Sequence, residues 1–128
     1  MIVRSSDVST TVTGIPASRQ DTAIPAPIIP APSTTTDGNW TATRGDNSFN
    51  DAMTYFHLDQ NQRYMQSLGF TGATGIQNGS ILADTDGVSG ADNSYYQPAY
   101  NRLSFGHGCV DDNEDADVIL HEYGHAIQ

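Results

Sequence analysis

The chain has 128 residues and a formal net charge of −10, which thirteen Asp and two Glu carry against five Arg and no Lys. This balance argues against nucleic acid and anionic membranes as partners, because both are bound through Lys and Arg. The single cysteine excludes an internal disulfide framework. No stretch approaches the roughly 18 apolar residues of a membrane span, and residues 1–6 lack the apolar core of a signal peptide. The length fits one domain.

The first 48 residues are predicted to form an arm or linker. Five of the six prolines fall between Pro16 and Pro32, with Ser and Thr around them. Proline fixes an extended backbone and cannot donate to a sheet, so this stretch favours polyproline II and cannot be a central strand. We therefore expect an extended Pro-rich arm over residues 1–48 and a folded unit over residues 49–128.

The first predicted helix covers residues 50–68. Ser48 is a good N-cap, Asp51 supports it three residues later, and Gly69 is placed to end the helix. A broken apolar stripe recurs near helical spacing and consists of Phe49, Met53, Phe56, Tyr64 and Leu68.

Short strands and turns are predicted between this helix and residue 108. Residues 80–83 can form one strand, and residues 84–87 read as a plain turn rather than a calcium loop. Residues 93–96 and 102–105 read as two strands around a turn at 97–101. We therefore expect a hairpin that leads directly into the last helix.

The pattern H-E-x-x-H occupies residues 121–125, in a chain with only four His and two Glu, so a chance match is improbable. On a helix of about 3.6 residues per turn, positions i and i+4 share one face. His121 and His125 can therefore direct imidazole nitrogens at one Zn²⁺. Glu122 is then placed to act as general base for a zinc-activated water that hydrolyses a peptide bond.

The helix that carries this pattern is predicted to begin near residue 114. Asp112 or Asn113 can cap it, and acidic residues in its first turn suit the positive end of the helix dipole. Gly124 weakens such a helix by about 1 kcal/mol relative to Ala, which a close-packed neighbour would explain. The alternative interpretation is a helix with two surface histidines.

A third zinc ligand is not visible in the pattern, although a catalytic zinc has three protein ligands plus water. His107 and Cys109 are candidates, but the residues around them read more simply as a turn after a strand. Glu114 would lie two helical turns before His121, which is too far along the axis to share a metal.

Three segments, taken in order, resemble the thermolysin-like and fungalysin-like gluzincin zinc metallopeptidases. They are residues 93–96 (Asn-Ser-Tyr-Tyr), 103–106 (Leu-Ser-Phe-Gly) and 117–125 (Asp-Val-Ile-Leu-His-Glu-Tyr-Gly-His). The resemblance covers residues 49–128 and implies an α+β fold. It implies a zincin-like upper lobe with a small twisted sheet, a backing helix over 50–68 and a C-terminal active-site helix. Only the N-terminal part of the catalytic domain is matched, since the family's third ligand is a Glu on a following helix.

The same resemblance assigns roles to six residues. It implies that His121 and His125 bind zinc and that Glu122 is the catalytic base. Asn93, Ser94 and Tyr95 would form the edge strand to which a peptide adds as an extra strand. It further implies a secreted enzyme, a peptide or protein substrate, and room for a structural Ca²⁺ in the full-length protein.

Three functions remain open at this point. The first is a zinc endopeptidase of which this chain is an incomplete fragment, because two ligands are visible where three are needed. The second is a self-contained hydrolase with an atypical third ligand, either His107 or Cys109. The third is a degenerate zincin-like module that docks extended peptides at residues 93–96 without cleaving them.

Overall fold

Two helices and a small mixed sheet make up the α+β fold of the described chain. The computed structural model describes residues 2–3, 33–77 and 79–128, so most of the predicted arm, including its Pro-rich stretch, lies outside the described residues. The elements are β1 (Ile2–Val3), α1 (Asn47–Ser67), β2 (Ile81–Asp84), β3 (Ser94–Gln97), β4 (Arg102–Phe105) and α2 (Ala116–Ala126).

The sheet consists of three four-residue strands and the two-residue strand β1 at one edge, in the order β1-β2-β4-β3. Strands β2 and β4 are parallel, whereas β3 and β4 form the predicted antiparallel hairpin. Its turn is a single 3₁₀ turn at Pro98–Tyr100. Strand β3 therefore forms the other edge of the sheet within the described chain. Strand β1 was not predicted, because two residues are too short to show a pattern.

One face of the sheet packs against both helices. Alternate residues of a strand point to opposite faces. Leu103 and Phe105 of β4 point to the helices, together with Ile81 and Ala83 of β2. Four residues from the helices complete this core: Leu58, Met65, Ile119 and Tyr123. Among the described residues, no helix is long and apolar enough to cross a membrane.

The face of α1 that packs inward is mostly polar. Its buried residues are Asn50, Asp51, Thr54, Leu58, Gln62 and Met65. The apolar stripe from the sequence is not the buried face, since Phe56, Tyr64 and Leu68 are 50%, 62% and 58% exposed. Polar side chains can be buried here because several of them bond to α2, to the turn before it and to the loop that follows α1.

The two ends of α1 test the predicted caps. The predicted N-cap was wrong, since α1 begins at Asn47 with Asp46 as its cap, and Ser48 lies inside the first turn. The Asp46 carboxylate closes the preceding turn by accepting from the Thr43 backbone N–H at 3.1 Å, which starts the helix early. At the other end Gly69 terminates the helix as predicted, with φ +98° in the left-handed region.

Candidate metal centre

Helix α2 begins later than the sequence predicted. Asp112 and Asn113 belong to a separate 3₁₀ turn, and Asp115, with extended backbone, caps α2 by accepting from the Asp117 backbone N–H at 2.8 Å. The physical reason is local: the Asp111 carboxylate accepts from the Asn113 N–H at 3.1 Å and closes the 3₁₀ turn by itself. The predicted cap at Asp112 or Asn113 was therefore wrong.

Two hydrogen bonds from α1 fix the position of α2. The Thr54 hydroxyl donates to Asn113 Oδ1 at 2.7 Å, just before α2. The Tyr123 hydroxyl donates to Gln62 Oε1 at 2.6 Å, between the two histidines of the helix. Burial raises the pKa of Tyr123 to about 12, which keeps it a donor. The buried polar face of α1 thus holds α2 at both ends.

The two histidines of α2 converge on one point. His121 Nε2 and His125 Nε2 lie 3.3 Å apart, with ring centroids 4.9 Å apart and ring planes at 89°. Two imidazole nitrogens that bind one tetrahedral Zn²⁺ at about 2.0–2.1 Å lie about 3.3–3.4 Å apart. Both side chains are exposed, so an ion can reach them. The pair therefore fits two corners of a zinc site.

Glu122 lies beside this pair in a different environment. The residue is only 7% exposed, and its carboxylate has no hydrogen-bond partner among the described residues. Its carboxylate oxygens are not among the fully buried side-chain atoms that lack a partner, so they face open space rather than the protein interior. Glu122 lines a cleft, so its carboxylate is available to a molecule bound there.

The cleft lies between the edge strand β3 and helix α2 and has a volume of about 450 Å³. It is lined by Asp92, Asn93, Ser94, Asp112, Asp117, Val118, His121 and Glu122. The structure thus brings four of the six sequence-predicted site residues into one cleft: Asn93, Ser94, His121 and Glu122. His125 joins them through its contact with His121.

Tyr95 is the sequence-predicted site residue that the cleft does not include. It pairs with Ser104 of β4 and points to the opposite face of the sheet from Ser94. The sequence also missed Asp92, Asp112 and Asp117 as cleft residues. They come from three separate segments, and no spacing rule connects them.

The outer edge of β3 offers backbone groups to a partner. The Gly106 N–H donates to the Asn93 carbonyl at 3.1 Å, so the residues of β3 alternate in facing β4 from this point. By that alternation the N–H and C=O of Ser94 and Tyr96 point away from β4. An extended peptide could bond to them as a further strand.

The two atypical candidates for a third ligand lie elsewhere. His107 Nδ1 is 3.1 Å from Asp86 Oδ1, and Cys109 is exposed in the following bend. Neither lines the cleft. Within the part of the chain that the structure describes, no group of three or more His, Cys, Asp or Glu side chains is placed to hold one metal ion. The close-packed neighbour expected at Gly124 is not found among the described residues, because a Cβ added to this glycine would have nothing within 4 Å.

The chain matches no protein-family model, no curated protein and no solved structure. The function of this site must therefore be argued from its own residues.

Proposed function

We propose that this chain carries the metal-binding helix and the substrate-binding edge of a zinc-dependent endopeptidase of the gluzincin type. In this proposal α1, the small sheet and α2 are the backing helix, sheet and active-site helix of a zincin-like upper lobe. The observation that carries it is the separation of 3.3 Å between the Nε2 atoms of His121 and His125, beside a cleft that Glu122 lines.

His121 and His125 would hold the zinc ion through their Nε2 atoms. When bound, Zn²⁺ supplies Lewis acidity, which polarises a carbonyl and activates water near neutral pH. The rest of the site requires one more ligand from outside the described residues, which in the gluzincins is a Glu on a later helix. Tyr123, through Gln62, keeps the turn between the two histidines fixed and so preserves their spacing.

Glu122 is the proton carrier in this proposal. Its carboxylate takes a proton from the attacking water and returns it to the amine that leaves, a role for which a positioned carboxylate typically contributes about 10²–10⁴-fold in rate. Its burial and its lack of a partner support this role, because no competing donor holds the carboxylate in the free protein.

The substrate would lie along β3. Its backbone would bond to the outward N–H and C=O groups of Ser94 and Tyr96, and Asn93 would contact it from the start of the strand. This arrangement orients one peptide bond toward His121 and Glu122 across the cleft. Tyr95 lies between these two residues, but its own N–H and C=O face β4 and its side chain lies on the far face of the sheet, so it would not contact the peptide directly.

A metal-binding experiment on the whole chain tests the zinc pair. Co²⁺, which reports its ligands through visible absorption, and Zn²⁺ are titrated into the wild type and into His121→Ala, His125→Ala and His57→Ala. We expect both α2 variants to lose binding and His57→Ala to keep it, since His57 lies on α1. Equal binding by all four proteins would overturn the proposal.

Hydrolysis separates the enzyme from a binding module. A second candidate function is a module that docks extended peptides without cleaving them, which the outward backbone groups of Ser94 and Tyr96 favour. Glu122→Gln should keep metal affinity within about twofold and remove peptide cleavage by the zinc-loaded protein. If the wild type cleaves no peptide while binding it at β3, the docking module is the correct reading.

A further inference from the structure

The cleft beside the histidine pair is lined by an unusual number of carboxylates. Asp92, Asp112, Asp117 and Glu122 all line it, and among the described residues of its lining the only basic side chain is the imidazole of His121. They come from the segment before β3, the 3₁₀ turn before α2, and α2 itself. Their convergence is a property of the fold that the sequence does not display.

The arginines of the described chain do not neutralise these carboxylates. Each described arginine faces a carboxylate outside the cleft, in the pairs Arg44–Glu114 at 3.5 Å, Arg63–Asp59 at 2.6 Å and Arg102–Asp84 at 4.0 Å. The low dielectric of a cleft wall strengthens the field of unpaired charges relative to open solvent. The described lining of the cleft therefore carries an excess of negative charge on the side where a substrate would bind.

Asp92 is held in this position by an unusually close backbone packing. A Cβ added to Gly106 would lie 1.9 Å from the Ala91 carbonyl oxygen, and one added to Gly108 would lie 2.5 Å from the Asp92 nitrogen. The Gly108 N–H also donates to the Ala91 carbonyl at 3.3 Å. The segment that carries Asp92 is thus clamped against the loop after β4.

Asp112 is fixed directly to the edge strand. Its Oδ2 accepts from the Ser94 hydroxyl at 2.6 Å, and this neutral donor defines its position without neutralising its charge. Ser94 is also one of the two residues whose backbone groups face outward. A negative charge therefore lies immediately beside the backbone to which a peptide would add.

Glu122 places a fourth carboxylate in the wall of this cleft. The residue is 7% exposed, and its carboxylate has no hydrogen-bond partner among the described residues. A neutral or acidic side chain placed here would remove water from the carboxylates without replacing its hydrogen bonds. A guanidinium or ammonium group would replace them with charge-assisted bonds.

We propose that this cleft selects peptides with an arginine or lysine side chain beside the strand β3. The catalytic meaning of this selectivity rests on the proposed endopeptidase function. The selectivity itself is a property of peptide binding. Arginine is favoured over lysine, because its planar fork of donors can contact two carboxylates at once.

Two labelled peptides that differ in one group test this selectivity. One contains arginine and the other contains citrulline, which has nearly the same shape but no charge. Their affinities for the full chain are measured by fluorescence anisotropy. We expect the arginine peptide to bind at least about tenfold more tightly, a ratio that corresponds to 1.4 kcal/mol, and the ratio to fall as salt is added.

Asparagine variants locate the effect. Asp92→Asn and Asp117→Asn should each reduce the arginine-to-citrulline ratio by about threefold or more, because each removes one cleft charge. Asp37→Asn is the matched control, since it removes the same charge from an exposed residue outside the cleft lining and should leave the ratio unchanged. Far-ultraviolet circular dichroism confirms that each variant is folded.

The results separate this inference from the proposed function. Arginine-selective binding that depends on Asp92 and Asp117 supports the inference even when the zinc-loaded protein cleaves neither peptide. Cleavage of both peptides with equal affinity overturns the inference and leaves the endopeptidase standing. The inference is also overturned if Asp37→Asn reduces the arginine-to-citrulline ratio as much as the cleft variants do. Binding of Ca²⁺ in the cleft without any peptide selectivity would overturn it as well.

Discussion

Removal of the Asn113 side chain should weaken the whole fold, because this one residue joins three segments. Asn113 is fully buried, accepts from the Thr54 hydroxyl at 2.7 Å and donates from Nδ2 to the Thr85 carbonyl at 2.9 Å. Asn113→Ala leaves the buried Thr54 hydroxyl and the partly buried Thr85 carbonyl without this partner. At about 1–3 kcal/mol for each unsatisfied group, we expect a loss of about 3 kcal/mol in the free energy of unfolding.

Thr54→Val provides the matched second variant, since it removes only the hydroxyl that faces Asn113. It leaves one acceptor unsatisfied and should cost about 1–2 kcal/mol. In the double variant the Thr54 hydroxyl and the Asn113 amide are both removed, so neither group remains in the protein without its partner. The combined loss should therefore be smaller than the sum of the two single losses by about 1 kcal/mol.

Urea denaturation followed by circular dichroism measures these losses, with Gln60→Ala on the exposed side of α1 as the control. The control should stay within about 0.5 kcal/mol of the wild type. The reasoning is refuted if Asn113→Ala costs less than about 1 kcal/mol at an unchanged denaturant slope. Exact additivity of Thr54→Val and Asn113→Ala would show that the bond between them contributes nothing.

Four further substitutions test other parts of the structure. Tyr123→Phe removes the hydroxyl that donates to Gln62 at 2.6 Å and should cost about 1–2 kcal/mol in urea unfolding. Gly106→Ala should cost more than about 3 kcal/mol in the free energy of unfolding, because its Cβ would lie 1.9 Å from a backbone oxygen. Gly124→Ala should stabilise α2 by about 1 kcal/mol, because an added Cβ has nothing within 4 Å. Thermal unfolding compares the two variants, and equal effects would contradict the packing described for the two glycines. Burial raises the pKa of the Asp84 carboxyl above its ordinary 3.8, so the folded state binds this proton more tightly. The free energy of unfolding of the wild type relative to that of Asp84→Asn should therefore fall as pH rises from 3.8 through the raised pKa. A difference between the two proteins that does not change with pH would contradict this expectation.

Local patterns predicted the elements that are defined by neighbours in sequence. The hairpin of β3 and β4 came from two short apolar runs around a proline-containing turn, and it forms within one residue of the predicted bounds. Gly69 ended α1 as expected because a left-handed C-terminal residue is a local requirement. The α+β class, which the resemblance implied, is confirmed by the described elements.

The inward face of α1 could not be predicted because its reason lies elsewhere in the chain. Thr54 and Gln62 look like surface residues until their partners, Asn113 and Tyr123, are brought against them from 59 and 61 residues away. Hydrophobic periodicity predicted the helix itself, but three of the five residues in its apolar stripe lie on the exposed side. Of the candidate site, the sequence predicted the histidine spacing and Glu122 but not the three aspartates of the cleft.

The hydrogen bonds Thr54–Asn113 and Tyr123–Gln62 also couple the geometry of the histidine pair to the folding of the chain. Helix α2 has eleven residues, and isolated helices shorter than about 12–15 residues are marginal in water. Its stability must therefore come from docking on α1, after chain closure over 59 to 61 residues. The spacing of 3.3 Å between the Nε2 atoms of His121 and His125 then depends on the docked position of α2 as well as on the local sequence. A metal that binds this pair would favour the docked chain over the open one, so metal affinity and fold stability would rise and fall together.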